Sequence, residues 1–145
     1  MTAINNLKNH NKSTPEFILR LFAPLAWIAT LVWLSLTPSP PQMPGVLGWD
    51  KLQHCGAYAL LTLLVAQFLI YLSIHPGKAC RVALLVAVCF GALMEVAQLL
   101  AYTGRAAEWW DLFADAVGAL LAYVILCQVT RPVSLQHEPP DKNHG

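Results

Sequence analysis

The feature that most constrains this chain is an apolar run over residues 82–102 that carries Glu95 and Gln98 inside it. A helix rises about 1.5 Å per residue and the hydrocarbon core of a bilayer is about 30 Å thick, so this run is long enough to cross a membrane. A carboxylate in such a helix costs about 2.5–3.5 kcal/mol on insertion scales, and it therefore normally faces a protein interior. The run predicts a helix bundle with polar groups inside it.

Composition supports a membrane protein. Hydrophobic residues make up 57% of the 145 residues and charged residues only 12%, which leaves too few polar side chains to cover a soluble globule. The formal net charge is +1, so no basic excess points to a nucleic-acid partner, and we predict none. The four cysteines show no CxxC spacing, and we interpret them as small apolar residues without a metal or redox role.

Three further apolar runs accompany the first. We predict an all-α, integral membrane four-helix bundle, with helices at about residues 15–36, 50–73, 80–103 and 109–129. The four-helix domain then covers residues 14–130. Residues 1–13 are predicted to form a cytoplasmic tail, and residues 131–145 a disordered cytoplasmic tail.

The distribution of basic residues predicts the orientation. With four crossings, seven of the Lys and Arg residues fall on one side of the membrane and two on the other. Because basic residues favour the cytoplasmic side, both termini are predicted to be cytoplasmic, in the inner membrane of a bacterium. The majority side contains Lys8, Lys12, Arg20, Lys78, Arg81, Arg131 and Lys142, and the minority side contains Lys51 and Arg105.

Three predicted helices each carry a polar stripe near their outer end. Residues 51, 54 and 58 share one face of helix 2, residues 95, 98 and 102 share one face of helix 3, and residues 111, 115, 118 and 122 share one face of helix 4. We expect these stripes to line a polar cavity between helices 2, 3 and 4. It would open outward, with Glu95 at its deepest point.

The spacing of these residues resembles the signature of the VanZ-like family of small integral membrane proteins. The family often has Asn where this chain has Asp115, and Gly where it has Ala122. The resemblance implies a link to resistance against the glycopeptide teicoplanin, and it implies no particular biochemical activity. The matching strings are Trp49-Asp50-Lys51-x-x-His54-x-x-x-Tyr58, then Gly91-x-x-x-Glu95-x-x-Gln98, and then Arg105 followed by Asp111-x-x-x-Asp115-x-x-Gly118.

Our leading hypothesis is a cell-envelope protein that binds an anionic membrane lipid or a lipid-linked cell-wall intermediate, without a cofactor or a metal. Lys51 and Arg105 would hold the anionic group, and Asp111 and Asp115 would orient the basic residues. The predicted ligand-binding residues are Asp50, Lys51, His54, Tyr58, Glu95, Gln98, Arg105, Asp111 and Asp115.

Other interpretations stay open at this point. A membrane-embedded hydrolase or transferase acting on a lipid phosphate would use Glu95, His54 and Asp115 as catalytic candidates. A divalent ion held by His54, Glu95, Asp111 and Asp115 is a related possibility. The same residues could instead form only interhelical hydrogen bonds in a structural subunit of a larger complex, with Lys51 and Arg105 reaching lipid headgroups.

Overall fold

The computed structural model describes residues 14–37, 47–101 and 109–130. Within them the chain forms four helices: α1 Thr14–Leu36, α2 Leu47–Tyr71, α3 Pro76–Leu100 and α4 Trp109–Val129. Each is long and apolar enough to cross a membrane. Within the described residues, the prediction of an all-helical chain with four helices that can each span a membrane is confirmed. Both predicted tails, Tyr102 and Arg105 lie outside the described residues.

The connection between α2 and α3 is shorter than the sequence predicts. We predicted that helix 3 begins at about residue 80, but α3 begins at Pro76. The His75 side chain accepts a hydrogen bond from the backbone N–H of Gly77 at 3.3 Å. Proline is tolerated in a first turn because the N–H it lacks has no helical partner there. α2 ends at Tyr71 rather than at residue 73, and Ser73 takes a φ of 68° in the turn. The other bounds also move: α2 begins at Leu47, three residues earlier than predicted, and α3 ends at Leu100, three residues earlier than predicted.

α2 lies at the centre of the bundle and contacts all three other helices, whereas α1 packs on α2 and α3. The buried surfaces of α3 and α4 are rich in small side chains, which let membrane helices approach closely. The central apolar cluster consists of Leu31, Tyr58, Leu61, Ala87 and Ala119.

The closest approach lies between α2 and α4, at Gly118. A Cβ atom at this position would stand 2.7 Å from the carbonyl carbon and 2.8 Å from the Cα of Cys55. Both atoms belong to the α2 backbone and cannot swing aside. Glycine at position 118 therefore brings the two backbones together, and this contact sets the polar faces of α2 and α4 side by side.

One end of the bundle collects the polar residues, and we name it the polar end. The C-terminal ends of α1 and α3 meet there, because Gln98 Nε2 donates to the carbonyl oxygen of Ser35 at 3.2 Å. The N-terminal ends of α2 and α4 meet there as well, because Lys51 bonds Asp111. Neighbouring helices in the chain therefore run antiparallel, whereas α2 and α4 run in the same direction.

Candidate functional site

Two adjacent ion pairs join α2 to α4 at the polar end. Lys51 Nζ pairs with Asp111 Oδ1, and one turn further along both helices His54 Nδ1 lies 2.9 Å from Asp115 Oδ1. Because an ionised carboxylate only accepts hydrogen bonds, the ring N–H of His54 is the donor. His54 Nε2 lies 3.7 Å from Asp111 Oδ2, so Asp111 bridges Lys51 and His54. We name these four residues the α2–α4 polar cluster.

The pairing follows from helix geometry. Residues three or four apart lie on the same face of a helix, so positions 51 and 54 on α2 can meet positions 111 and 115 on α4 when the two helices run in the same direction. The cluster thus has alternating charge along its length when His54 is protonated.

Burial increases along the cluster. The side chain of Lys51 is 26% exposed and that of His54 is 15% exposed, whereas the side chain of Asp111 is 8% exposed and that of Asp115 only 2%. An ion pair is strengthened in surroundings of low dielectric constant, and losing one partner there is costly because the other charge stays buried. Asp115 is therefore the deepest member of the cluster.

Tyr58 connects Asp115 to α3. Its hydroxyl interacts with Asp115, and Glu95 lies within electrostatic range of the same side chain. Gly91 makes room for this arrangement, since a Cβ there would stand 2.9 Å from Asp115 Oδ2 and 3.2 Å from Tyr58 Cε1. The structure thus brings Tyr58 of α2, Glu95 of α3 and Asp115 of α4 near one another.

Gln98 takes a different position from the one expected. It is buried, and its described hydrogen bond goes to Ser35 on α1. We expected it to line the cavity beside Glu95. Gln98 instead fastens the end of α1 to α3, next to the site.

A groove opens beside the cluster, between α1 and α2. Its volume is about 190 Å³, and its wall is apolar toward the middle of the membrane span and polar toward the polar end. This position differs from the cavity expected between α2, α3 and α4, where the polar side chains pack against one another. The groove is lined by Leu31, Leu34, Ser35, Asp50, Gln53, His54, Ala57 and Tyr58.

Four lining residues, Leu31, Leu34, Ser35 and Gln53, belong to none of the polar stripes that the sequence predicts. Leu31 and Leu34 read like any other apolar residues of a span, and no sequence signal distinguishes them. Ser35 and Gln53 did carry a signal, since each is a polar residue near the polar end of an apolar helix. Gln53 follows Asp50 by three residues and therefore lies near the same face.

Three side chains at this end lie close enough together to coordinate a divalent cation. Asp50, His54 and Asp111 each offer one ligand atom, and these atoms lie within 4.8 Å of one another. This set differs from the one considered from the sequence, because Asp50 stands in place of Glu95 and Asp115. Lys51 already bonds Asp111, so its ammonium group supplies positive charge where an ion would sit.

No protein-family model, curated protein sequence or solved structure matches this chain. The site is therefore interpreted from its own geometry. Arg105, the second basic residue expected here, lies outside the described residues.

Proposed function

We propose that this chain is a binding protein of the bacterial cell envelope that takes an anionic membrane lipid, or a lipid-linked cell-wall intermediate, in the groove between α1 and α2. In this proposal the chain lies in the cytoplasmic membrane with both termini in the cytoplasm, so the polar end faces outward. The resemblance to VanZ-like proteins connects the proposal to glycopeptide susceptibility.

The observation that carries the proposal is the position of the cluster beside the groove. His54 belongs to the cluster and also lines the groove. Asp111 and Asp115 hold Lys51 and His54 on adjacent turns of α2. His54 lines the groove, and Lys51 lies next to its wall, with Nζ 3.7 Å from Oδ2 of the lining residue Asp50. An amphiphilic molecule matches this distribution, with its chains along Leu31, Leu34 and Ala57 and its headgroup near His54.

Lys51 is the ammonium group that we propose for the phosphate. Its Nζ pairs with Asp111 and lies 3.7 Å from Asp50 Oδ2, so these two carboxylates fix its position at the polar end. The side chain of Lys51 is also the most exposed of the cluster. A phosphate group near Lys51 would receive a charge-assisted hydrogen bond, which is stronger than one between neutral groups.

The proposal is tested by mass spectrometry of the lipids retained by the purified protein. Lys51→Ala should reduce the retained anionic lipid at least about fivefold, which corresponds to a charge-assisted hydrogen bond of about 1 kcal/mol or more. Lys78→Ala is the matched control, because Lys78 is an exposed lysine in the first turn of α3 at the opposite end. Equal retention by the wild type and both variants would contradict the proposal.

A hydrolase or transferase acting on a lipid phosphate is the second candidate, and the pairing of His54 with Asp115 favours it. A buried carboxylate that receives the Nδ1–H of a histidine fixes the ring and leaves Nε2 to accept a proton. Turnover of a purified lipid phosphate that is lost in both His54→Ala and Glu95→Gln would establish this function. Retention of lipid without turnover would support the binding protein instead.

A further inference from the structure

Asp50 differs from the other carboxylates at the polar end. Asp111 and Asp115 are nearly enclosed, and both pair with side chains of α2. Asp50 lines the groove, its side chain is 32% exposed, and its Oδ2 atom lies 3.7 Å from Lys51 Nζ. It is therefore the carboxylate that a molecule in the groove would meet.

The charges of the described residues around the groove are not balanced. Lys51 and a protonated His54 together face three carboxylates, those of Asp50, Asp111 and Asp115, so one negative charge is in excess. Asp50 at the wall would weaken the binding of a headgroup that carries only negative charge. A headgroup that also carries a positive charge would be attracted by it.

We propose that the groove recognises a zwitterionic headgroup in which a primary ammonium group approaches Asp50 while a phosphate approaches Lys51 and His54. This inference rests on the proposed function, in which a phosphate is held near Lys51 and His54, and it specifies amphiphiles whose aminoalkyl phosphate headgroup carries a positive charge as well. The ammonium donates to the Asp50 carboxylate, and the amide oxygen of Gln53, which also lines the groove, is a further acceptor. The apolar residues of α1 contact the first part of the acyl chains.

A simpler role for Asp50 would be to stabilise the start of α2. It lies in the first turn of that helix, where a negative charge interacts favourably with the helix dipole. This role predicts an effect on thermal stability and none on the choice of lipid, so the two roles can be separated by experiment.

The experiment presents the full chain with an equimolar mixture of phosphatidylethanolamine, phosphatidylglycerol and phosphatidylcholine of identical acyl chains in vesicles. The lipids retained after purification are then counted by native mass spectrometry. We expect the wild type to prefer phosphatidylethanolamine by about threefold to fivefold over the other two, as suits a partly exposed charge pair. Phosphatidylcholine tests whether recognition needs the N–H donors of the ammonium group, because its nitrogen is positively charged but carries no N–H.

Asp50→Asn should abolish the preference for phosphatidylethanolamine over phosphatidylglycerol and leave phosphatidylglycerol retained. Glu16→Gln is the matched control, because Glu16 is a partly exposed acid in the first turn of α1 and pairs with Arg20. An Asp50→Asn variant with lower thermal stability and unchanged lipid preference would overturn the inference.

The lipids retained by the wild type are a test of the inference even without the variants. Equal retention of all three lipids, or retention of phosphatidylcholine as strong as that of phosphatidylethanolamine, would overturn the inference and leave lipid binding in place. Retention of none of the three would also overturn the inference, whereas the proposed function is tested separately by the lipids that the purified protein retains from its own membrane.

Discussion

At the scale of single residues, Asp115 is the most consequential position in the cluster. It is buried and bonds His54, and Gly91 provides the space for its carboxylate. The resemblance to VanZ-like proteins predicted a role near this position, but spacing alone gave no indication of which basic residue each aspartate would hold. That pairing depends on the relative rotation and height of α2 and α4.

Replacing Asp115 should lower the free energy of unfolding, and the loss should be larger for alanine than for asparagine. Asp115→Ala removes the partner of a buried histidine, and we expect a loss of about 3–5 kcal/mol in the free energy of unfolding. Asp115→Asn keeps an oxygen that accepts the His54 hydrogen bond and removes only the charge, so we expect a loss of about 1–2 kcal/mol. The measurement is unfolding in mixed micelles titrated with dodecyl sulfate.

Asp50→Ala serves as the control in that series, since its side chain is partly exposed and does not enclose another charge. Equal stability of Asp115→Ala and the wild type would show that the carboxylate is not held between His54 and Tyr58.

At the scale of helices, the contact between α2 and α4 at Gly118 determines whether the cluster can form. The backbones meet where a side chain would collide with Cys55. Gly118 and Ala122 are small residues on one face of α4, and both positions are buried. The identity of the partner helix could not be predicted, because any of three helices could have supplied the opposing surface.

Gly118→Ala should separate α2 from α4 and reduce stability by about 1–3 kcal/mol or more, since the obstructing atoms belong to the backbone. Gly56→Ala is the matched control on α2. A Cβ there has nothing within 4 Å, and alanine favours a helix by about 1 kcal/mol over glycine. We expect this control to be neutral or slightly stabilising in the same dodecyl sulfate titration.

A Gly118→Ala protein that is more stable than the Gly56→Ala protein would contradict the described contact between α2 and α4. A stable Gly118→Ala protein would mean that α2 and α4 are farther apart than the structure shows, and Lys51 and His54 would then lie beyond reach of the α4 aspartates.

α1 illustrates what the sequence could not reveal at this scale. Its length and apolar character predicted a span, and the span is present. Its role in the site depends on two polar contacts, Trp27 Nε1 to the carbonyl oxygen of Ala57 at 3.0 Å and Gln98 to Ser35. In the first contact a side chain of α1 donates to a backbone oxygen of α2, and in the second a side chain of α3 donates to a backbone oxygen of α1. The two residues of each contact are far apart in the chain, so no local sequence pattern encodes these contacts.

At the scale of the whole molecule, the polar end combines a buried network with a lateral groove. The sequence predicted that the polar stripes of three helices would meet at one depth. In antiparallel spans, the number of residues between a side chain and the end of its helix gives its depth in the membrane. It predicted an open cavity between those helices. The buried side chains satisfy one another instead, and the open space lies between α1 and α2.

In the proposed function, the lateral position of the groove gives a ligand access from the lipid phase. Leu34 lines the groove and is 49% exposed on the outer surface of the bundle. A molecule diffusing in the bilayer can therefore reach the wall without first crossing the aqueous face.

Photo-crosslinking in native membranes can show whether a specific membrane amphiphile occupies this groove, as the proposed function requires. Benzoylphenylalanine is placed at Leu34, or at Phe113, which is 61% exposed near the same end of the bundle but does not line the groove. We predict that position 34 captures a lipid species enriched over the bulk membrane and that Lys51→Ala abolishes this enrichment, whereas position 113 captures lipids in bulk proportion. Bulk proportion at both positions would contradict the account.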